Sequence, residues 1–426
     1  MIRQFTTWST CALVASAMVP GMAAASSSGA DVPELSYETV LSDLDNPWDM
    51  ALLPDGTMFF TEKCHGLSVR LPSGDVHQLL GMEDSEDYAT KADDLFCNGQ
   101  AGMNGVAVDP DFDENRYVYV YSASKITPLH KNRVVRVRVN DAFTDVSDRN
   151  DIVEDIPYKQ TASDHPFGEA GAHNGGRIRF HPGDGYLYVT TGDNHHGEMP
   201  QHPTRLGGKV LRIDRDGNAA ADNDPPAGFN KRIYTYGHRN VQGIAFHPET
   251  HETFVAEHGP WHSDEVKLLE KGGNAGWDPR PNISGRGECP DHYCGYMPEQ
   301  MEGMEPAERR AFMPMTDTEM YPDAIRPAWD NDKKSQGLSS AAFLSGSQWK
   351  DWDGKMVVGF LGIGFGGTEV GQRLDVLDFA DDRLSVDVTT MSAPMGQARF
   401  RSVVLGPEGD LYVAVDEGDI YRITPE

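Results

Sequence analysis

Basic residues are scarce in this chain. Its 426 residues hold 37 lysines and arginines against 66 aspartates and glutamates, a formal charge of −29. Nucleic acid and anionic membranes are poor partners for such a balance, because phosphate contacts need clustered Lys and Arg. A dispersed acidic surface mainly keeps a protein soluble. Long apolar runs are missing beyond the first 25 residues, so no stable membrane insertion is expected. Helical periodicity is nearly absent, with only short candidates such as Pro306–Phe312. Cysteine is rare: apart from Cys11 there are Cys64, Cys97, Cys289 and Cys294, without the paired Cys-x-x-Cys spacing of a zinc site. In an oxidising compartment an even number points to disulfides, with three connectivities open; Cys64–Cys97 together with the short loop Cys289–Cys294 is favoured.

Residues 1–25 read as a secretory signal: Arg3, an apolar stretch over Cys11–Pro20, then the small residues Ala23–Ala25. Export to a periplasm or the medium is expected. Cleavage would remove Arg3 and no acid, taking the charge from −29 to −30. Residues 26–426 then form a single domain built on a weak repeat of a Pro-Asp-Gly-like turn followed by an apolar-aromatic strand. It occurs as LLPDGTMFFTE from Leu52, DPDFDENRYVYVYS from Asp109, FHPGDGYLYVTTGD from Phe180, FHPETHETFVAEHG from Phe246, WDGKMVVGFLG from Trp352 and GPEGDLYVAVDEG from Gly406. Many short strands with regular turns at such a period predict an all-β fold, a six-bladed β-propeller in which each copy is the inner hairpin of a blade. The one long interval holds residues 278–329, read as a long loop excursion between blades, near the substrate face, rather than a domain. Its six methionines between Met297 and Met320 are scattered, which favours loop packing over soft-metal ligation.

The stretch Tyr236–Trp277 concentrates polar groups at predicted strand ends, where binding sites are built: Arg239, Asn240, Glu257, Gly259-Pro260, Asp264 and Glu265. Carbonyls and carboxylates from Gly259 to Glu265 have the chemistry of a hard-cation loop. His173 lies beside Gly175-Gly176 before a strand, and its near-neutral pKa suits general-base work. Arg399 and Arg401 are one residue apart on a strand, so both face one side and can clamp a carboxylate or phosphate. Gln100 sits in a Gly-rich bend before an apolar strand. Two patterns are discounted. Gly362, Gly364 and Gly367 spell GxGxxG, but a strand over Arg373–Phe379 follows where a dinucleotide site needs a helix. The acidic run Asp214–Asp224 lacks calcium-loop spacing.

Taken in order, NPWDMALLPDG at Asn46, GQAGMNGVAVDPDF at Gly99, HNGGRIRFHPGDGYLYVTTGD at His173, GGKVLRIDRDG at Gly207, the Tyr236–Trp277 stretch and RFRSVVLGPEGDLYV at Arg399 resemble the soluble sugar dehydrogenases that use pyrroloquinoline quinone (PQQ), the glucose/sorbosone dehydrogenase family. The resemblance implies that His173 is the general base, with Arg239 and Asn240 against the quinone oxygens. It places Arg399 and Arg401 on the cofactor's carboxylates, Gln100 near the substrate, and the carbonyls of Gly259 and Pro260 on a bound Ca2+. Asp264 and Glu265 belong to the same candidate metal loop. The substrate implied is an aldose or related polyol, with electrons leaving to a soluble acceptor such as a cytochrome or quinone. Two departures stand out. Ala172 replaces an aspartate before the histidine, and Val357–Gly367 contains no counterpart of a cofactor-binding lysine, for which Arg373 could substitute only by a register shift. A calcium-dependent lactonase would need several carboxylates converging on one metal. A non-catalytic carbohydrate- or protein-binding propeller is the other alternative.

Overall fold

Each of the six repeats forms the first hairpin of an antiparallel sheet, its turn joining the first strand to the second. The computed structural model describes residues 31–125, 129–160, 169–279, 304–331, 334–362 and 371–426. The first strands are Pro47–Leu52, Met103–Val108, Gly175–Phe180, Val241–Phe246, Leu338–Phe343 and Phe400–Leu405. Successive first strands touch, and the sixth touches the first, so six sheets close into a six-bladed β-propeller. The last blade takes its outermost strand, Leu35–Leu41, from the opposite end of the chain, paired with Ile420–Pro425.

The apolar core is divided among the seams between blades. One cluster joins Phe59 and Val69 of the first blade to Val118 and Val137 of the second. Another joins Tyr119 and Tyr121 to Val189 and Leu211, and four more continue around the ring to the pair formed by Phe60 and Tyr412. Inner strands are therefore buried on both faces, as in Leu338–Phe343 and Leu411–Val415. Outer strands such as Val386–Met391 keep an exposed face. This explains why the inner strands read as nearly continuous apolar runs.

In all six blades the pairing of first and second strands shifts register near the start of the first strand, for example between Gly175 and Ile178 and between Phe400 and Ser402. Such bulges re-aim side chains and twist the strand end. Here they ring one mouth of the propeller, and the site lies there.

The excursion leaves the fourth blade after its third strand, Glu265–Leu268, and returns as that blade's fourth strand, Trp329–Asp330, so it lies within a blade. Its helix Pro306–Phe312 carries a capping box between Glu305 and Glu308. Met313 and Met315 pack with Trp277 and Trp261, as packing residues do. Met297, Met301, Cys289, Cys294, Gly364 and Gly367 lie outside the described residues. Gln372–Phe379 is a strand, which removes the dinucleotide reading. Among the described residues no helix is long and apolar enough to cross a membrane.

Cys64 and Cys97 form a disulfide 33 residues apart in sequence. It ties the end of the first blade's second hairpin strand to the bend that carries Gln100. A loop of this size implies a stabilisation of about 2–4 kcal/mol. Cys97→Ser is expected to lower the urea midpoint accordingly, and a reductant should lower that of the unmodified protein by more than that of the variant.

Candidate active site

The mouth ringed by the bulges opens into a cavity of about 830 Å³. Gln100, His173, Arg239, Asn240, Gly259, Arg399 and Arg401 all line it, brought together from four blades. The bulges explain the convergence, because these residues stand at strand starts or in the bends and loops beside them.

His173 is held tightly. Its φ is +50°, in the left-handed region, followed by Gly175 at +63° and Gly176 at +104°. Such a backbone costs a non-glycine residue of order 1 kcal/mol and persists only where neighbours enforce it. A Cβ on Gly192 would lie 1.9 Å from the His173 carbonyl, so only glycine lets these strands approach. The backbone N–H of His173 donates to Gln100 Oε1 (3.2 Å) and that of Gly175 to Asn240 Oδ1 (3.0 Å). On the ring, Nδ1 donates to Asp193 Oδ1 at 2.7 Å, and Asp193 is fully buried. The other carboxylate oxygen accepts from Trp277 Nε1 at 2.8 Å. A carboxylate can only accept, so it fixes the Nδ1–H tautomer and leaves Nε2 with its lone pair.

Beside this base stands a set of cations. Asp416 grips Arg401 through two bonds of 2.7 and 2.8 Å and Arg399 through one of 3.0 Å. Burial raises the Asp416 pKa, but the two guanidinium groups outweigh it and keep the carboxylate below its usual range. Lys63 also lines the cavity, donating to the Gly99 carbonyl at 3.0 Å; burial and then Arg401 lower its pKa. Arg239 donates to the His258 carbonyl (2.7 Å) and lies 5.9 Å from the Trp277 ring. Its Nε and His258 Nδ1 are buried polar atoms without a protein partner. Burial, then Arg239, Arg401 and Arg399, holds the His258 pKa down to about 3, so that ring is neutral at physiological pH.

The metal loop differs from expectation. Gly259 lines the cavity, whereas Pro260, Asp264 and Glu265 do not. Asp264 is occupied by four donors: the Gly259 amide (2.9 Å), Ser335 Oγ (2.6 Å), the Gln336 amide (2.6 Å) and Asn331 Nδ2 (2.9 Å). It shapes the loop from within. Glu265 pairs with Lys267 and accepts from Thr316 Oγ1 at 2.9 Å, and burial pushes it up to about 7. Among the described residues, no three His, Cys, Asp or Glu side chains converge as a metal site. Arg373 is absent from the cavity walls, being bound to Asp375 (2.7 Å) and stacked on Phe360.

Sequence reasoning did not single out Asp193, His195, Lys63 or Asp416. A signal existed: Glu62, Asp193, Glu257 and Asp416 each follow or close the second strand of their repeat. That strand runs antiparallel to the first, so its end meets the cavity mouth.

A histidine whose Nδ1–H is held by a buried carboxylate, facing one cavity with clustered cations, is an arrangement suited to taking a proton from one ligand while binding an anionic one. The particular family follows from comparison: residues 44–422 match the Glucose / Sorbosone dehydrogenase family, and the chain belongs to it. It is 26% identical to the aldose sugar dehydrogenase YliI of Escherichia coli K12, over 96% of this chain and 98% of that one. With the quinoprotein glucose dehydrogenase B of Acinetobacter calcoaceticus it shares 30% identity, over 58% and 52% of the two chains. The crystal structure of the soluble E. coli aldose sugar dehydrogenase in its apo-form superposes with a TM-score of 0.71 at 25% identity, covering 92% of this chain and 100% of that one. The protein is a sugar dehydrogenase, an oxidoreductase.

Proposed function

We propose that the protein oxidises the hydroxyl or hydrated aldehyde of an aldose or related polyol to a lactone or acid, using PQQ and Ca2+, in a periplasm or the medium. The observation that carries this reading is the His173–Asp193 pair facing the same cavity as Lys63, Arg239, Arg399 and Arg401. In a chain of net charge −29 such a concentration of cations suits a ligand with several carboxylates, as PQQ is. The buried, unpartnered Arg239 Nε and His258 Nδ1 fit the same requirement. PQQ, when bound, supplies the acceptor for the hydride leaving the sugar carbon.

The chain's own groups do the rest. His173 Nε2 takes the hydroxyl proton, and Asp193 holds the ring in register and stabilises the imidazolium that forms. Arg399 and Arg401, locked by Asp416, would hold the carboxylates of the cofactor. Arg239 and Asn240 would stabilise charge developing on the quinone oxygens. Carbonyl oxygens of Gly259 and Pro260 would bind Ca2+, with Asp264 keeping their loop in shape. The Cys64–Cys97 disulfide and the signal-like residues 1–25 support export. Electrons would pass to a soluble acceptor, a cytochrome or quinone.

The test is reconstitution of the apoprotein with PQQ and Ca2+, followed by dye reduction across a panel of aldoses and polyols. Reduction with at least one sugar, lost on EGTA treatment and restored by Ca2+, is expected. Absence of reduction with every sugar at saturating PQQ would sink the reading. Arg401→Ala should weaken PQQ binding roughly 10- to 150-fold, the worth of a charge-assisted hydrogen bond of about 1.5–3 kcal/mol. A spectroscopic titration of the apoprotein measures this without turnover.

A further inference from the structure

Lys63 lines the cavity from the turn after the first blade's second strand, Met58–Glu62, and it is half-buried. Its backbone is fixed on both sides. The amide donates to the Asn46 carbonyl at 3.1 Å, and the carbonyl accepts from the Met103 amide at 2.9 Å. A Cβ on Gly102 would lie 2.0 Å from that carbonyl, so only glycine lets the two segments come so close. The next residue, Cys64, is tied to Cys97 by the disulfide. The Lys63 side chain reaches the same bend, donating from Nζ to the Gly99 carbonyl at 3.0 Å.

That carbonyl is a neutral acceptor and uses one of the three N–H donors of an ammonium. Among the described residues Lys63 forms no ion pair, in a chain whose acids outnumber its bases by 66 to 37. Arg399 and Arg401 differ, because Asp416 pairs with both. Burial first, and then Arg401, work against the Lys63 charge; Asp416, Glu169 and Asp45 offset only part of this. A charge taken out of water is normally paired. What the chain leaves out is an anion close to both Lys63 and Arg401. Arg401 keeps N–H donors beyond those held by Asp416 and Gln242.

Resting on the reading of PQQ as the cofactor, we propose that Lys63 is a further cofactor-binding residue, which takes one carboxylate of PQQ jointly with Arg401. The carboxylate accepts from Lys63 Nζ and from the Arg401 guanidinium, and its charge relieves the repulsion between them. Hydrogen bonds between ionised partners are roughly twice as strong as neutral ones, so this contact outweighs a bond to a carbonyl. The anion thereby joins the first blade to the sixth. Arg401 is fixed through Asp416, and Lys63 through its backbone bonds to Asn46 and Met103. The site selects a free acid at this position of the ligand, because an ester there offers neither cation a charge.

The experiment is a spectroscopic PQQ titration of the apoprotein in the presence of Ca2+. It compares the wild type with Lys63→Gln, Lys63→Arg, Arg401→Ala and the double variant Lys63→Gln/Arg401→Ala. Lys63→Gln keeps an N–H donor for the Gly99 carbonyl but carries no charge. It should bind PQQ roughly 10- to 150-fold more weakly, the range for a hydrogen bond to a charged group. Lys63→Arg, which keeps the charge, should recover most of that loss. Because both cations hold one carboxylate, the double variant should lose less than the product of the two single losses. Wild-type PQQ affinity in Lys63→Gln would make Lys63 a brace for the bend and overturn the proposal alone. Single losses that multiply independently overturn the shared carboxylate. A wild type that binds no PQQ overturns the underlying reading and the proposal with it.

Discussion

Asp193→Asn is expected to fold, to bind PQQ as the wild type does, and to lose about 10⁴-fold in kcat. Trp277 Nε1–H donates to one oxygen of Asp193, while His173 Nδ1–H and the His195 amide share the other. An asparagine can satisfy Trp277 only by turning its carbonyl that way, which aims its NH2 at His173. The imidazole must then accept at Nδ1 and carry its proton on Nε2, so the base is lost. The opposite amide orientation sets two donors, the NH2 and the Trp277 indole, against each other. In the Asp–His pair of serine proteases the same exchange costs about 10⁴-fold by this tautomer effect. His173→Ala, which deletes the base outright, should lose the 10²- to 10⁴-fold typical of general-base catalysis. Dye reduction at saturating PQQ and sugar measures both; wild-type kcat in Asp193→Asn would remove the carboxylate from its role.

The fold was legible because its punctuation is regular. All six turn-and-strand strings fall on the joint between first and second strands, where a tight turn needs Gly, Pro or Asp. The long interval was legible as an excursion rather than a domain, but not the strands it joins, because the fourth strand of that blade is only Trp329–Asp330, too short to carry a pattern. In the site, the residues that could be read stand near the starts of first strands, within strings already marked by glycines. Those missed lie mainly at the far ends of second strands, where an acid such as Asp193 or Asp416 looks like a turn residue until the antiparallel pairing brings it to the mouth. Lys63 is contributed by the first blade, whereas the resemblance implies a cofactor-binding lysine on the fifth. Asp264 and Glu265 were joined because they are adjacent in sequence. The fold gives them separate partners, Gly259, Ser335, Gln336 and Asn331 for Asp264 and Lys267 and Thr316 for Glu265.

Arg177 closes the axis of the ring, and its loss should be among the most damaging to stability. From the third blade's inner strand its guanidinium reaches the Gln242 carbonyl (2.9 Å), Ser402 Oγ (3.0 Å), and the carbonyls of Arg401 (3.0 Å), Ser339 (3.4 Å) and Trp48 (3.4 Å), besides the carboxylate of Asp49. One side chain thus joins the first, fourth, fifth and sixth blades to the third. Burial lowers its pKa to about 10, still far enough above neutrality for the charge to persist. Arg177→Met keeps much of the bulk but strands these carbonyls in an axis with no replacement donor. Asp49 retains Arg179 through two bonds of 2.7 Å, so its charge is not left alone. The expected cost is about 3–5 kcal/mol, the range for breaking a buried ion pair. Arg177→Lys should recover little, because an ammonium is a point donor and cannot span partners on four blades. Two of the carbonyls belong to Arg401 and Gln242, and Arg401 Nη1 also donates to Gln242 Oε1 at 3.1 Å. Loosening the axis should therefore weaken PQQ binding along with stability. Urea midpoints and apoprotein PQQ titrations on the same variants measure the two effects. A midpoint equal to that of the wild type would mean that blade packing alone holds the ring shut.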